Sequence, residues 1–254
     1  MTAFAALVRD ATACLAFYTR LPVPPAHAQA RDFAAAQWAS PVAGLAVAGI
    51  GGGVFWAAGI GGLPPALCAV ATLAAILLAT GCLHEDGLAD VADGFGGGAT
   101  RERKLEIMKD SRIGTYGVVA LALALLARWS ALAALADPGG VLCALVAAHG
   151  ASRALFPAFM RHLPPARPTG LSAGIGAIPK PAATGALALG TTSLAALGLG
   201  PAILAAIALA AWFLLLAALA RRQIGGRTGD VLGTLQQGAE IIVLFAACAF
   251  LAQP

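Results

Sequence analysis

Apolar residues run along this chain in blocks separated by short polar stretches, with little of the in-and-out alternation of half-buried strands. Seven blocks can be drawn, at 34–60, 64–83, 114–136, 141–160, 185–199, 201–220 and 234–252. About 20 helical residues cross a hydrocarbon core near 30 Å, so these blocks predict transmembrane helices. The block at 185–199 is short and contains glycine, which predicts a tilted or partly crossing helix. Residues 3–19 form an amphipathic segment, expected at the interface or tucked into the bundle. Barrel strands would be half as long and would alternate, and Leu67–Thr80 and Ile203–Ala220 do not alternate. The predicted fold is therefore all-α: a polytopic transmembrane bundle of about seven spans plus an N-terminal amphipathic or partly inserted helix. It forms one integral membrane domain over 1–254, with a catalytic loop region around 84–113.

Composition supports a membrane protein over a soluble globule. Hydrophobic residues make up 59% before the 31 glycines are counted, and charged residues only 11%. Soluble domains hold about 45–50% apolar residues with glycine included. The basic residues set the orientation. Arg20 and Arg31 precede the first span, Arg101, Arg103, Lys104, Lys109 and Arg112 follow the second, Arg161, Arg167 and Lys180 follow the fourth, and Arg221, Arg222 and Arg227 follow the sixth. The intervening loops at 61–63, 137–140 and 198–200 carry no Lys or Arg, so seven spans put every basic loop on one side, expected to be the cytoplasm. The net charge of +4 then reflects the positive-inside rule and contact with anionic membrane lipid. Nucleic acid is not an expected partner, because the basic residues are not interleaved with aromatics.

Cys14, Cys68, Cys82, Cys143 and Cys248 form no CxxC pair, so neither a zinc site nor a disulfide framework is expected. Ala26-His27-Ala28 resembles a signal-peptidase site, but Arg9 and Asp10 interrupt the preceding apolar stretch and the segment is expected to be retained. Glycines four apart, such as Gly49 and Gly53, predict a face where helices approach closely.

Four of the twelve acidic residues, Glu85, Asp86, Asp90 and Asp93, fall within nine positions directly after the second span. On a helix Asp86, Asp90 and Asp93 lie at about 0°, 40° and −20°, on one narrow face. Such an array repels itself unless a cation turns the repulsion into coordination. Hard oxygen ligands point to Mg²⁺ or Mn²⁺, and Mg²⁺ completes its shell with water and substrate phosphate oxygens, so the array predicts a phosphate-bearing substrate. The competing reading is a solvated acidic helix end.

Gly94, Gly96, Gly97 and Gly98 follow, without the Gly-Lys-Ser/Thr ending of a P-loop, and read equally as a phosphate cradle or a flexible turn. In Lys109-Asp110-Ser111-Arg112 the two cations suit a diphosphate, and Asp110 suits either the metal site or the anchoring of Arg112. A plain positive-inside anchor is the alternative. Arg153 lies about two turns inside the fourth span, a depth at which a cation usually faces a polar cavity, and is a substrate-anion candidate or a structural residue. Arg128 is deeper and suits a pocket or an internal hydrogen-bonding role. Gly225-Gly226-Arg227-Thr228-Gly229-Asp230 is a glycine-rich turn with a lone carboxylate ahead of the last span, where Glu240 sits at intramembrane depth.

Four segments carry a family likeness: Phe17-Tyr18-Thr19-Arg20-Leu21-Pro22-Val23-Pro24, His84-Glu85-Asp86-Gly87-Leu88-Ala89-Asp90-Val91-Ala92-Asp93-Gly94, Leu105-Glu106-Ile107-Met108-Lys109-Asp110-Ser111-Arg112-Ile113-Gly114-Thr115 and Thr228-Gly229-Asp230-Val231-Leu232-Gly233. Together they resemble cobalamin synthase, the adenosylcobinamide-GDP ribazoletransferase family, over most of the chain. The resemblance implies a multi-pass inner-membrane enzyme of late cobalamin (vitamin B12) biosynthesis with cytoplasmic catalytic loops. It would use Mg²⁺ to transfer adenosylcobinamide phosphate from adenosylcobinamide-GDP to α-ribazole or α-ribazole 5′-phosphate, giving adenosylcobalamin or its 5′-phosphate and GMP. On this reading Glu85, Asp86, Asp90, Asp93 and Asp230 bind metal. Asp93, Asp110 and Lys109 serve catalysis, Asp93 as metal ligand or as proton acceptor. His84, Arg112, Arg153 and Thr228 bind substrate, with Lys109, Arg112 and Arg153 on phosphates. A homo-oligomer or an association with other corrinoid-pathway enzymes is a further expectation.

Three rival classes share parts of the pattern. CDP-alcohol phosphotransferases also array aspartates on a membrane helix, but their Asp-x-x-Asp-Gly start followed by Ala-Arg fits Asp86-Gly87-Leu88-Ala89-Asp90 only loosely. Polyprenyl transferases need a second aspartate-rich motif, and the second half of the chain offers the lone Asp230. An ion-coupled transporter would use intramembrane Glu240, Arg128 and Arg153, but most carboxylates cluster beyond a span end, beside basic loops.

Overall fold

The structure is a computed structural model that describes residues 3–24 and 32–251. Ala26-His27-Ala28 and Arg31 lie outside them. Among the described residues twelve α-helices follow in order: α1 (Ala3–Tyr18), α2 (Phe33–Ala36), α3 (Ser40–Ile60), α4 (Pro65–Thr80), α5 (Leu83–Gly97), α6 (Arg101–Ile107), α7 (Thr115–Leu135), α8 (Pro138–His162), α9 (Leu171–Gly174), α10 (Lys180–Leu194), α11 (Leu199–Ile224) and α12 (Gly229–Leu251). Asp32 starts α2 by accepting the Ala34 and Ala35 amides, and a 3₁₀ turn, Gln37–Ala39, joins it to α3. Among the described residues there is no strand, only an isolated bridge between Pro165 and Arg227.

Among the described residues five segments are long and apolar enough to cross a membrane: 33–60, 115–135, 138–162, 199–224 and 229–250. α4 and α5, bent by 89° at the break between them, are together long and apolar enough for a sixth. The chain is a multi-pass membrane protein. The block expected at 185–199 is the 15-residue helix α10, which starts beyond Pro179 and stops before Gly198 at φ +80°. Its boundaries shift because proline and left-handed glycine set helix ends, whereas apolarity does not.

α8 and α12 form the axis and pack against each other, 72% of the apolar window of each being buried. The corresponding windows of α7 and α11 are buried to 28% and 22%, so these helices form the rim. The apolar core has two parts. One gathers Val47, Phe55, Ile76, Leu132, Leu145 and Leu244, and the other Tyr18, Val91, Phe156, Phe159, Leu216 and Leu235. Between them, along α8 and α12, lies a belt of buried polar residues. Helix α1 is tucked in rather than floating free, since Cys14 and Tyr18 are buried and the Trp38 indole donates to Asp10 Oδ2 at 2.9 Å. The five cysteines are free thiols.

The packing assigned to Gly49 and Gly53 is corrected. Both are exposed, and a Cβ there meets nothing within 4 Å. The close contacts of α3 fall instead at Gly51, against Ile76, and at Gly44, against the His149 carbonyl. A four-residue spacing marks a helical face but does not say whether that face meets protein or lipid. Gly53→Leu is accordingly expected to leave the thermal midpoint in detergent within about 1 °C, as for a substitution touching no special feature.

Candidate active site

The acidic helix owes its direction to two left-handed residues, Gly81 at φ +62° and Cys82 at φ +57°. They end α4 and turn the chain through 89°, so α5 runs across the bundle and packs on the start of α12. The two backbones nearly touch. A Cβ on Gly87 would lie 2.8 Å from Asp230 Cα, and one on Gly233 would lie 2.9 Å from the His84 carbonyl oxygen. Thr234 Oγ1 spans the crossing by donating to the Gly87 carbonyl at 3.3 Å. The crossing carries Asp230 from the far end of the sequence to Asp86 and Asp90, and Asp90 lies within the electrostatic reach of Asp230, Asp86 and Asp93. Because the obstructing atoms at Gly87 are backbone, Gly87→Val is expected to cost about 1–3 kcal/mol through overpacking. Thermal melts beside Gly53→Leu check this.

Asp86 and Asp230 line one cavity of about 130 Å³. Its apolar wall includes Phe17, Tyr18, His84 and Phe156. The His84 ring is stacked with Phe156 at 5.7 Å between centroids and with Tyr18 at 6.3 Å, and its Nε2 has no hydrogen-bond partner. Whole small-molecule sites occupy about 300–1,000 Å³, so this cavity suits the reacting end of a larger substrate. Arg167 Nη2 stands 3.7 Å from Asp230 Oδ2, too far for a hydrogen bond, and that buried oxygen has no other partner.

No three His, Cys, Asp or Glu side chains among the described residues converge as a preformed metal cage. The donor set nevertheless fits Mg²⁺, which takes one or two carboxylates and fills its shell with water and substrate phosphate. Asp86 and Asp230 offer that pair, and Asp230 Oδ2 is a donor oxygen with no competing hydrogen bond.

The other predicted site residues lie elsewhere. Asp93 caps α7, its oxygens accepting the Gly114 amide at 2.7 Å and the Gly117 amide at 2.9 Å, which ties α5 to the loop bearing Lys109, Asp110 and Arg112. Asp110 accepts the Arg112 guanidinium through both oxygens, and Arg112 holds its carboxyl down to about 2. These two residues and Lys109 are exposed, and the structure does not bring Asp110 to the aspartates of α5. Thr228 starts α12, its Oγ1 accepting the Val231 amide at 3.2 Å.

Glu85 and Arg153 face the interior. Arg128, fully buried on α7, donates through Nη1 to Glu85 Oε1 at 2.8 Å and stands through Nε 3.0 Å from Glu240 Oε1. Gln237 donates to Glu85 Oε1 at 3.0 Å and to Gln236 Oε1 at 2.8 Å, and Gln236 donates to Glu240 Oε2. Arg153 Nη1 donates to His149 Nδ1 at 2.9 Å, with Glu240 Oε2 3.4 Å beyond that nitrogen. Glu85 thus stands apart from the three aspartates, and Arg153, 1% exposed, does not line the acidic cavity. Arg128 takes the internal hydrogen-bonding role. Sequence reasoning assigned no role to His149, Gln236 or Gln237. The available signal was that 149 and 153, and 236 and 240, are one turn apart at matching depth in apolar helices.

The chain matches the cobalamin-5-phosphate synthase family over residues 10–248. It is 54% identical over 241 residues to the adenosylcobinamide-GDP ribazoletransferase of Mesorhizobium japonicum, covering 95% of this chain and 93% of that protein. The protein of the same name from Bradyrhizobium diazoefficiens is also 54% identical, over 246 residues, 96% of this chain and 95% of its own. That from Ralstonia nicotianae is 39% identical over 254 residues, 98% of each chain. No solved structure matches. With the match running through the acidic helix, the loop after it, the turn before α12 and the buried polar belt, the chain belongs to the cobalamin-5-phosphate synthase family.

Proposed function

We propose that this chain is an adenosylcobinamide-GDP ribazoletransferase of late cobalamin biosynthesis. It transfers adenosylcobinamide phosphate to α-ribazole or its 5′-phosphate and releases GMP, in the inner membrane with its basic loops and reacting cavity toward the cytoplasm. The observation that carries the reading is the joining of Asp86 and Asp230 at one cavity by the Gly87–Gly233 crossing.

In the reaction a hydroxyl of the ribazole attacks the phosphorus on the corrinoid side, the bond from that phosphorus to the GMP oxygen breaks, and the hydroxyl proton passes to solvent as GMP leaves. Asp86 and Asp230 would hold Mg²⁺, with the charge of the neighbouring Asp90 beside them, and the ion would supply Lewis-acid stabilisation of the charge that develops on the diphosphate. The chain's own residues bind and orient. The stacked Tyr18, His84 and Phe156 wall fixes the position of the reacting end, and Arg167, beside Asp230, offers a cation to the leaving phosphate. Lys109 and Arg112 sit on the loop that Asp93 ties to α5, where they meet phosphate as the substrate enters. An intramembrane ion path is disfavoured, because Glu85 and Glu240 are balanced by the buried Arg128 and Arg153 inside the bundle.

The test is turnover of the purified chain in liposomes with adenosylcobinamide-GDP, α-ribazole or its 5′-phosphate, and Mg²⁺, with GMP and the corrinoid product identified by mass. Product is expected, and EDTA is expected to abolish it. Full turnover by a folded Asp86→Ala/Asp90→Ala double variant would sink the assignment.

A further inference from the structure

Away from the acidic cavity, α8, α10 and α11 enclose an apolar groove of about 400 Å³. Ala154, Leu187, Gly190, Ala210 and Leu214 are among its lining, and Thr191 contributes its one hydroxyl. The walls belong to α10 and to two helices long and apolar enough to cross a membrane, so the groove opens at membrane depth.

The polar end of the groove follows from helix arithmetic. Seven residues, about 10 Å along the axis, return a helix to within about 20° of the same face. Seven steps forward from Ala154 on α8 reach Arg161, and seven forward from Leu214 on α11 reach Arg221. Helix α10 runs the other way, and seven steps back from Leu187 reach Lys180. All three cations are exposed. They share one end of the bundle, because Arg221 Nη2 donates to the His162 carbonyl at 3.4 Å and Arg161 Nη1 to the Ile178 carbonyl. Each wall of the groove therefore ends in a cation on the groove face.

We propose that this groove binds one anionic phospholipid, an acyl chain lying between α8, α10 and α11 and the headgroup phosphate held by Arg161, Lys180 and Arg221. The dimensions agree with one lipid leaflet. From the deep end of the groove to the cation is 10 residues on α8, Ala151 to Arg161, and 15 on α11, Ala206 to Arg221, about 15–22 Å. Half of a bilayer with its headgroups is about 20–22 Å. A second copy of the chain is the poorer occupant, since it would press its own three cations against these.

The experiment is native mass spectrometry of the full chain released from detergent after incubation with phosphatidylglycerol or phosphatidylcholine. One phosphatidylglycerol per chain is expected to survive conditions that strip phosphatidylcholine. Arg161→Gln/Lys180→Gln/Arg221→Gln is expected to lose that preference, each cation near an anionic headgroup being worth about fivefold. Ala210→Phe, from an exposed position on the groove wall, is expected to lose retention of the lipid altogether. A thermal shift of the unmodified chain, larger with phosphatidylglycerol than with phosphatidylcholine, reads the same site without a variant. Equal retention of both lipids by the unmodified chain overturns the proposal. So does undiminished phosphatidylglycerol retention in Ala210→Phe, which would place the lipid in the general annulus, or a lipid-free dimer that Ala210→Phe dissociates.

Discussion

Asp230→Asn is expected to reduce ribazole transfer at least about 10³-fold while leaving the bundle folded. The reduction follows from what the side chain has around it. Its Oδ2 is buried with no hydrogen-bond partner, and the nearest cation, Arg167, stands 3.7 Å away. An amide removes the negative charge while keeping the shape, so the loss falls on cation and phosphate binding. Lewis-acid stabilisation is worth several kcal/mol, and each 1.36 kcal/mol is a factor of about ten in rate. Asp86→Asn, on the other helix at the same cavity, is expected to show a loss of the same order. A double variant no worse than either single one would follow if the pair acts as a unit. Turnover across a Mg²⁺ titration, with a melt on each variant, separates this from unfolding. Turnover within tenfold of the unmodified chain in folded Asp230→Asn would remove that residue from the site.

The largest effect on stability is expected from Arg128→Met. Arg128 is 0% exposed and contacts both Glu85 and Glu240, so its loss leaves two buried carboxylates facing one remaining buried guanidinium, Arg153. Removing one partner of a buried ion pair costs about 3–5 kcal/mol. At about 2–4 °C per kcal/mol for a chain of this size, the midpoint in detergent should fall by roughly 10 °C. Arg128→Met/Glu85→Gln restores charge balance, leaving Arg153 with Glu240, and should recover at least half of the loss. A double variant as unstable as the single one would mean that the belt holds the bundle by packing alone.

Because Glu85 directly precedes Asp86, the belt also anchors the first turn of the acidic helix. Its burial beside Arg128 and Gln237 points Asp86, about 100° further round the helix, outward to the cavity. Four consecutive-looking acids therefore divide into three settings. Glu85 is paired inside, Asp93 caps α7, and Asp86 with Asp90 meets Asp230.

The membrane class, the long apolar helices, the alignment of Asp86, Asp90 and Asp93 on one helical face, and the family motifs were legible in the order of residues. These are properties of composition and of the 3.6-residue period, and both are local. The tertiary structure alone decided which face of each helix meets protein and which meets lipid, because in a membrane both faces are equally apolar and periodicity carries no contrast between them. That is why Gly49 and Gly53 read as packing and Gly44 and Gly51 did not. Only the fold brought Asp230 to Asp86, since that meeting depends on the 89° bend at Gly81 and Cys82 and on backbone contact across Gly87 and Gly233. The fold also turned Arg128, Arg153, Glu85 and Glu240 from isolated intramembrane charges into mutual partners. A buried charge is tolerated only with its counter-charge in place, and that counter-charge lies on another helix, 43 residues away for Glu85 and Arg128 and 112 for Arg128 and Glu240.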